Sequence, residues 1–200
     1  VITGGNHSLR RKEICSLMEE NYFLLRPDNL PEELSGSGYC LVDCGFASIA
    51  VINLSGTVYL DSLNASSPFT KADALIEHAK EDGAKIILVD FHAEATSEKR
   101  ALGIYLDGKA SAVFGTHTHV QTNDAQILPN GTGYITDLGM VGTINSVLGV
   151  SPEAIITKLK TGMPTRFDNN EGECMLNACL FEIDKQSGKT TAVQRINIRG

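Results

Sequence analysis

Apolar residues recur at two different spacings along this chain, and each spacing predicts a different kind of element. Residues 9–21 and 67–83 place apolar side chains near the 3.6-residue period of an amphipathic helix, and Gly83 supplies a stop signal after the second. Residues 84–92, AKIILVDFH, and 111–117, SAVFGTH, are almost continuously apolar, as is typical of strands buried on both faces. The middle of the chain therefore predicts alternating strands and helices.

Antiparallel strand pairs are predicted on either side of this middle region. Residues 39–45 and 48–56 have the composition of a hairpin. Residues 126–137 contain Asn130 and Gly131, a pair that favours a tight hairpin turn. Residues 174–199 alternate apolar and polar positions on both sides of a QSGK turn, so we expect the chain to close with a third hairpin.

Two further helices complete the predicted elements. We expect one over residues 96–108, capped by Thr96 or Ser97, and one over residues 151–162, capped by Ser151 with Pro152 at the first helical position. This order of elements predicts a layered α/β protein with a mixed sheet system. Because no repeat, linker or low-complexity tract interrupts the chain, we expect residues 1–200 to form a single domain.

Composition and charge exclude several classes of function. A chain of 200 residues with 42% hydrophobic and 20% charged residues has the composition of an ordinary globular domain. No apolar run approaches the roughly 20 residues of a membrane span, so we expect no membrane partner. A net charge of -7 with scattered basic residues argues against stable binding to nucleic acid. A small phosphate-bearing substrate remains compatible with this charge, and the sequence leaves open whether the chain forms a homo-oligomer.

The cysteines predict a reducing environment. Their number is odd and none forms a CxxC pair: Cys15, Cys40, Cys44, Cys174 and Cys179. A disulfide framework is therefore not expected, and we interpret the cysteines as reduced thiols in a cytoplasmic protein.

Four of the five histidines lie at the ends of predicted strands. His7 follows the short apolar start of the chain, His92 ends one buried strand, and His117 and His119 end the next. In α/β sheets, functional groups gather where strands end in loops, and imidazole is the commonest metal ligand. Asn6 adds a neutral oxygen beside His7. A single histidine at a strand end is usually structural, but this repeated placement predicts a metal site.

The remaining histidine serves as a contrast. His78 lies among charged neighbours inside the predicted helix of residues 67–83, and we expect it to be a solvated surface residue. The histidines at the strand ends are thus distinguished by position rather than by abundance.

Four motifs carry a resemblance to a known family. GGNH at residues 4–7, DFHAEATSEK at 90–99, GTHTHVQT at 115–122 and YITDLGM at 134–140 resemble the YmdB-type family of calcineurin-like metallophosphoesterases. The similarity extends through nearly all of the chain. It implies the metallophosphoesterase sandwich, with two mixed β-sheets flanked by helices. It also implies a phosphodiesterase with two metal ions, divalent or of mixed valence, with iron favoured over manganese, and with 2′,3′-cyclic nucleotides among its substrates.

The resemblance also assigns roles to the residues at the strand ends. Asn6, His92 and His117 resemble the ligands of one metal, and His119 resembles a ligand of the other. His7 resembles the proton donor of the family rather than a ligand. In this reaction a metal-bound hydroxide attacks phosphorus, and a protonated His7 delivers a proton to the departing oxygen. The implied substrate is a small phosphodiester.

Counting charges predicts that ligands are missing from this set. Two divalent ions bring four positive charges, whereas the four implied ligands bring none. The family supplies an Asp and a Glu-Asn pair from segments that precede its GNH motif, and this chain begins at that motif. We therefore expect a domain that is truncated at its N-terminus. Asp90 and Asp137 are expected to orient other groups, and Glu94 and Glu98 to hold the loop.

Two other functions stay open on the residues alone. The absent carboxylates favour a non-catalytic regulatory or binding module that retains the fold. A hydrolase with one metal, acting on amides or esters, would use Asn6, His92 and His117 around a single ion.

Overall fold

The alternation of apolar strands and amphipathic helices produces two β-sheets and four α-helices in the computed structural model, which describes residues 1–168 and 170–200. The strands are β1 Tyr39–Asp43, β2 Ser48–Ser55, β3 Ile86–His92, β4 Ala112–Thr116, β5 Gln126–Ile127, β6 Gly133–Ile135, β7 Val141–Thr143, β8 Cys174–Ile183 and β9 Thr190–Arg199. The helices are α1 Glu13–Glu20, α2 Pro68–Glu81, α3 Thr96–Tyr105 and α4 Pro152–Thr161, and a short 3-10 helix covers Asp61–Leu63.

The larger sheet is mixed and has the strand order β1-β2-β3-β4-β6-β5. Its central strands β2, β3, β4 and β6 run parallel, and the edge strands β1 and β5 each pair antiparallel with a neighbour. In the register of the sheet, His92 at the end of β3 lies between Ser55 and Thr116. The carboxyl ends of the parallel strands therefore meet at one edge, where α/β proteins place their functional groups.

The main core lies between this sheet and helices α2 and α3. Ile52, Leu54, Val89 and Phe91 are almost completely buried, and α2 contributes a face that includes Ile76. Strands covered on this scale need apolar residues at consecutive positions, which explains the uninterrupted apolar runs in the sequence. The core thereby fixes the strand ends that carry the histidines.

The smaller sheet has the order β7-β8-β9 and contains only antiparallel pairs within the described part of the chain. It contacts the larger sheet through Phe181 and Phe114, whose ring centroids are 6.3 Å apart. The Thr190 hydroxyl also donates a hydrogen bond to the Ser111 carbonyl oxygen over 2.7 Å. The predicted α/β architecture of two sheets flanked by helices is confirmed.

The local predictions differ from the structure mainly at helix starts. Helix α1 begins at Glu13 instead of residue 9, because residues 6–12 form turns and bends. The N-cap of α3 is Ala95, which makes no side-chain capping bond, so the predicted caps Thr96 and Ser97 are wrong. The predicted cap Ser151 is confirmed, since its side chain accepts a hydrogen bond from the Ala154 amide.

Two predictions from composition can also be compared with the structure. All five cysteines are free. None of the described helices is both long enough and apolar enough to cross a bilayer.

Candidate metal centre

The predicted site residues lie along one cavity at the carboxyl edge of the larger sheet. Its volume is about 610 Å³, and its lining includes Asn6, His7, His92, His117 and His119. Asn6 and His7 belong to a turn that is attached to β2 by a hydrogen bond of 3.0 Å from the Gly4 amide to the Asn53 side chain. The structure thus brings together all five residues that the sequence singled out, from three separate segments of the chain.

Three of these side chains point their donor atoms at one another. The Asn6 Oδ1 atom lies 2.9 Å from His92 Nε2, and His92 Nε2 lies 3.1 Å from His117 Nδ1. Two ligands at right angles and about 2.1 Å from one ion lie about 3.0 Å apart. The spacing of the three atoms therefore fits the coordination of a single metal ion.

A chain of hydrogen bonds selects the ring nitrogen that His92 presents to the cavity. The Thr116 hydroxyl donates a hydrogen bond to Asp90 Oδ1 over 2.8 Å, and the Thr116 oxygen lies 3.0 Å from His92 Nδ1. Because that hydroxyl donates to Asp90, its oxygen accepts from His92 Nδ1. The proton of the neutral ring is then on Nδ1, and Nε2 faces Asn6 and His117 with an unshared electron pair.

The charge state of His92 agrees with this arrangement. Burial, with a smaller contribution from the neighbouring His117, lowers the pKa of His92 to about 4. Burial also raises the pKa of Asp90 to about 6, although hydrogen bonds from Thr3 and Thr116 oppose that shift. His92 is thus a neutral imidazole at pH 7, the form in which histidine binds metals.

Glu94 orients His117 in the same manner. Its Oε2 atom lies 2.8 Å from His117 Nε2, so the carboxylate accepts a hydrogen bond from this nitrogen, which keeps its proton. The other ring nitrogen, Nδ1, then carries the unshared pair and faces His92. A carboxylate behind a histidine is a common way to fix the tautomer of a metal ligand. From the sequence, Glu94 was expected only to hold the loop, and its contact with His117 was not predicted.

A buried ion pair supports the loop that carries both His117 and His119. The Lys99 ammonium group lies 2.6 Å from Asp137 Oδ2, and both side chains are almost completely buried. The same carboxylate accepts hydrogen bonds from the backbone amides of Thr118 and Gly139. Asp137 therefore fulfils the predicted supporting role, whereas Lys99 was not singled out in the sequence.

The backbone of this loop is held in an unusual conformation. The φ angles of His117 and His119 are +104° and +66°, in the region that residues with a side chain rarely adopt. Such conformations persist where surrounding contacts impose them, and they concentrate at functional sites. The contacts of Asp137 with Thr118 and Gly139 supply that constraint here.

The donors for a second ion are sparser. His119 is exposed at the edge of the same cavity. Within residues 1–168 and 170–200, histidine, cysteine and carboxylate side chains alone form no group of three that could hold a metal. The three converging donors fit one ion because the Asn6 oxygen completes the set. For a second ion, His119 is the donor that the resemblance assigns, and it lines the same cavity.

Glu98, the last of the acidic residues singled out in the sequence, does not line the cavity of the histidines. Its carboxylate accepts hydrogen bonds from the Thr57 amide and hydroxyl over 2.9 and 3.0 Å and from the Val58 amide over 3.3 Å. It therefore holds the segment after β2, in agreement with a role in loop structure. His78 is exposed and lies 3.6 Å from Asp82, as expected for a surface histidine.

Comparisons with known proteins agree with the geometry. Residues 1–196 match the model of the family described as YmdB-like protein. The chain is 48% identical over 197 residues to the 2′,3′-cyclic-nucleotide 2′-phosphodiesterase of Bacillus subtilis (strain 168), in a match that covers 98% of this chain and 74% of the relative.

Two solved structures have the same fold. A hypothetical protein from Thermus thermophilus superposes with a TM-score of 0.91 at 38% identity, covering 100% of this chain and 76% of the other. A novel phosphatase from Mycoplasma pneumoniae superposes with a TM-score of 0.89 at 34% identity, covering 99% of this chain and 71% of the other. The chain thus shares its architecture with a protein described as a phosphatase.

Proposed function

Because this chain belongs to the YmdB-like protein family, we propose that it is a metal-dependent phosphodiesterase that hydrolyses 2′,3′-cyclic nucleotides. The observation that carries the proposal is the convergence of three donor atoms. His92 Nε2 lies 2.9 Å from Asn6 Oδ1 and 3.1 Å from His117 Nδ1. Hydrogen bonds behind both rings leave these donors with unshared pairs facing one another, and a cation relieves their mutual repulsion. The phosphodiesterase from Bacillus subtilis supports the substrate class.

The metal ligands follow from this arrangement. We assign Asn6, His92 and His117 to one ion and His119 to a second, with iron favoured over manganese. When bound, the ions supply Lewis acidity, which activates water and neutralises the charge of the phosphate. Thr116 and Glu94 keep the ligand nitrogens free of protons, and the Asp137 carboxylate keeps the loop of His117 and His119 in place.

His7 is assigned the role of general acid. Its exposed side chain lines the cavity beside Asn6, where a bound phosphodiester would lie. As water attacks phosphorus and the bond to the departing oxygen breaks, a ring nitrogen of His7 delivers a proton to that oxygen. This role needs proton transfer but no bond between His7 and a metal.

Metal content and turnover together test the two kinds of histidine. In His117→Ala we expect loss of bound metal and of activity on adenosine 2′,3′-cyclic phosphate. In His7→Ala we expect turnover to fall by about a hundredfold with metal content unchanged. His78→Ala is the matched control and should preserve both properties. Normal metal content in His117→Ala, or metal loss in His7→Ala, would show that these roles are wrong.

The number of ions separates the two-metal reaction from its alternatives. Elemental analysis that finds two ions per chain would support the dinuclear site. It would also indicate that Asp90 and Asp137 contribute ligands to it. One ion, with hydrolysis of a carboxylic ester but not of a phosphodiester, would favour the mononuclear hydrolase. Metal binding without hydrolysis of either substrate would favour a binding module.

We also propose that the protein acts in the cytoplasm. Support comes from the five free cysteines, since a reducing compartment maintains thiols in this form.

A further inference from the structure

A second cavity adjoins the metal centre. It also has a volume of about 610 Å³, and it shares His119 and Leu148 with the first cavity. One face of the smaller sheet forms its far wall. A substrate whose phosphate lies among the histidines can therefore extend past His119 into this space.

Strand alternation places a defined set of side chains on that wall. Side chains two residues apart share a face of a sheet. In the register of β8 and β9, Asn177 lies opposite Asn197, and Met175 lies opposite Arg199. Arg195, two residues before Asn197, belongs to the same face and also lines the cavity. The wall thus carries an amide pair between two arginines.

The charge of this cavity is opposite to that of the protein. The chain as a whole has a net charge of -7, yet its second cavity is lined by Arg195 and Arg199 and by no carboxylate. Neither arginine forms an ion pair with any residue in the described part of the chain, although Arg195 makes a long hydrogen bond of 3.4 Å to the Thr122 carbonyl oxygen. Both side chains are exposed, so their guanidinium groups are available to an anionic ligand.

The amide pair between the arginines is ordered by contacts with the protein. Asn177 Nδ2 donates to the Met140 carbonyl oxygen over 3.0 Å, and Asn197 Nδ2 donates to Asn177 Oδ1 over 2.5 Å. Within residues 1–168 and 170–200 the side-chain Oδ1 atom of Asn197 accepts no hydrogen bond, so it can accept one from a ligand. Met140, Met175 and Leu148 add apolar surface suited to the face of a nucleobase.

We propose that this second cavity binds the nucleotide unit next to the reacting one, so that the preferred substrate is a short oligonucleotide that ends in a 2′,3′-cyclic phosphate. Arg195 and Arg199 bind its non-scissile phosphate, and the apolar side chains contact its base. The two arginines are four residues apart on β9, which corresponds to about 13 Å between their Cα atoms. Two guanidinium groups can thus approach one phosphate from either side. This inference rests on the proposed function for the reaction at the metal centre.

Kinetics on two substrates of different length test the proposal. The substrates are adenosine 2′,3′-cyclic phosphate and a dinucleotide ending in the same cyclic phosphate. In Arg195→Gln and Arg199→Gln we expect KM for the dinucleotide to rise about tenfold, while KM for the mononucleotide stays unchanged. Arg166→Gln is the matched control, because Arg166 is exposed and lines neither cavity. Equal effects on both substrates, or no effect on either, would overturn the proposal.

A binding measurement separates failure of this inference from failure of the proposed function. Adenylyl-adenosine has one internucleotide phosphate and no cyclic phosphate, so its binding requires no hydrolysis. Calorimetric titration of the 200-residue chain should show binding that Arg195→Gln weakens about tenfold and that added salt weakens further. If this binding is seen in a chain without hydrolytic activity, the proposed nucleotide site in the second cavity is supported and the proposed reaction is refuted. If wild type and Arg195→Gln bind adenylyl-adenosine equally, the proposed nucleotide site in the second cavity is refuted, whatever the hydrolytic activity.

Discussion

At the scale of single residues, the groups behind the candidate ligands decide which ring nitrogens face the cavity. Glu94 holds the proton of His117 on Nε2, and Thr116 holds that of His92 on Nδ1. Gly5 leaves room for the His92 ring, since a Cβ atom at Gly5 would lie 2.3–2.6 Å from its atoms. The site therefore depends on several side chains that donate nothing to a metal.

Removal of the Glu94 carboxylate should weaken metal binding without removing a ligand. In Glu94→Ala, His117 can rotate or shift its proton to Nδ1, and we expect metal affinity to fall by about ten- to a hundredfold. Glu94→Gln should recover part of this loss, because its amide oxygen accepts the same hydrogen bond. Competition with a chelator measures the affinity.

Glu81→Ala is the matched control for that measurement, because Glu81 is exposed at the end of α2, outside the cavity. Unchanged metal affinity in Glu94→Ala would show that the contact with His117 is incidental.

The sequence points to the candidate residues that line the cavity, but it does not point to the groups behind them. Histidines repeat at the ends of predicted strands, and this pattern can be read from the sequence without the structure. It singles out Asn6, His7, His92, His117 and His119. The contact of Glu94 with His117 depends on a distance of 2.8 Å between side chains from different segments. No spacing in the sequence encodes such a distance, so the tautomers could not be predicted.

At the scale of elements, the close approach of β4 and β6 explains the glycine in the segment FGTHTH. A Cβ atom at Gly115 would lie only 1.8 Å from the Thr136 carbonyl oxygen and 3.0 Å from the Lys99 side chain. Any side chain at this position must displace the end of β4, to which the loop of His117 and His119 is attached. Gly115 thus couples strand packing to the position of the candidate ligands.

Gly115→Ala should therefore lower both stability and metal affinity. We expect the free energy of unfolding to fall by about 3 kcal/mol, as measured by urea denaturation. Gly142→Ala in β7 is the matched control, because a Cβ atom there meets its nearest neighbours at an ordinary 3.7 Å. A loss of stability no larger than that of Gly142→Ala would contradict the close approach seen here.

Asp124 makes the segment between β4 and β5 sensitive to acid. Burial alone would raise its pKa, but hydrogen bonds from Thr136 and Thr122 outweigh burial and lower the pKa below its ordinary value. The Asp124 carboxylate accepts from the Thr136 amide over 3.1 Å, from the Thr136 hydroxyl over 2.5 Å and from the Thr122 hydroxyl over 2.7 Å. The charged form is therefore preferred in the folded protein.

The expected dependence on pH follows from the sign of that shift. Because the folded pKa is depressed, the stabilisation is complete above the unfolded value of about 3.9 and is lost as pH falls through the folded pKa. Asp124→Asn should cost about 1 kcal/mol at pH 7 and should reduce the loss of stability below about pH 4. Urea denaturation at several pH values measures both effects. Parallel pH profiles for wild type and Asp124→Asn would contradict this role.

Prediction of the elements succeeded where the apolar pattern is strong and failed at their ends. Strands β3 and β4 lie within the expected residues because their apolar runs are buried on both faces. Helix α3 begins after Ala95 without a side-chain cap, although Thr96 and Ser97 both have suitable hydroxyls. The extended backbone conformation at Ala95 sets the start of the helix, and the pattern of hydroxyls in the sequence does not reveal it.

At the scale of the whole molecule, the order of strands could not be obtained from the sequence. Periodicity assigns residues to a face, but it does not say that β6 pairs with β4 or that β5 lies at the edge. The placement of the second cavity depends on this arrangement, because it brings β8 and β9 to the side of His119. Resemblance to a family, rather than pattern, supplied the two-sheet architecture in advance.

The distances in sequence between the candidate ligands have a consequence during protein synthesis. Asn6 and His92 are 86 positions apart, and His117 follows 25 positions later. A ribosome must therefore deliver β2, β3 and β4 before the three donor atoms can meet. Until then the candidate site of Asn6, His92 and His117 is incomplete, so an ion cannot be held by these three donors before β4 has been synthesised.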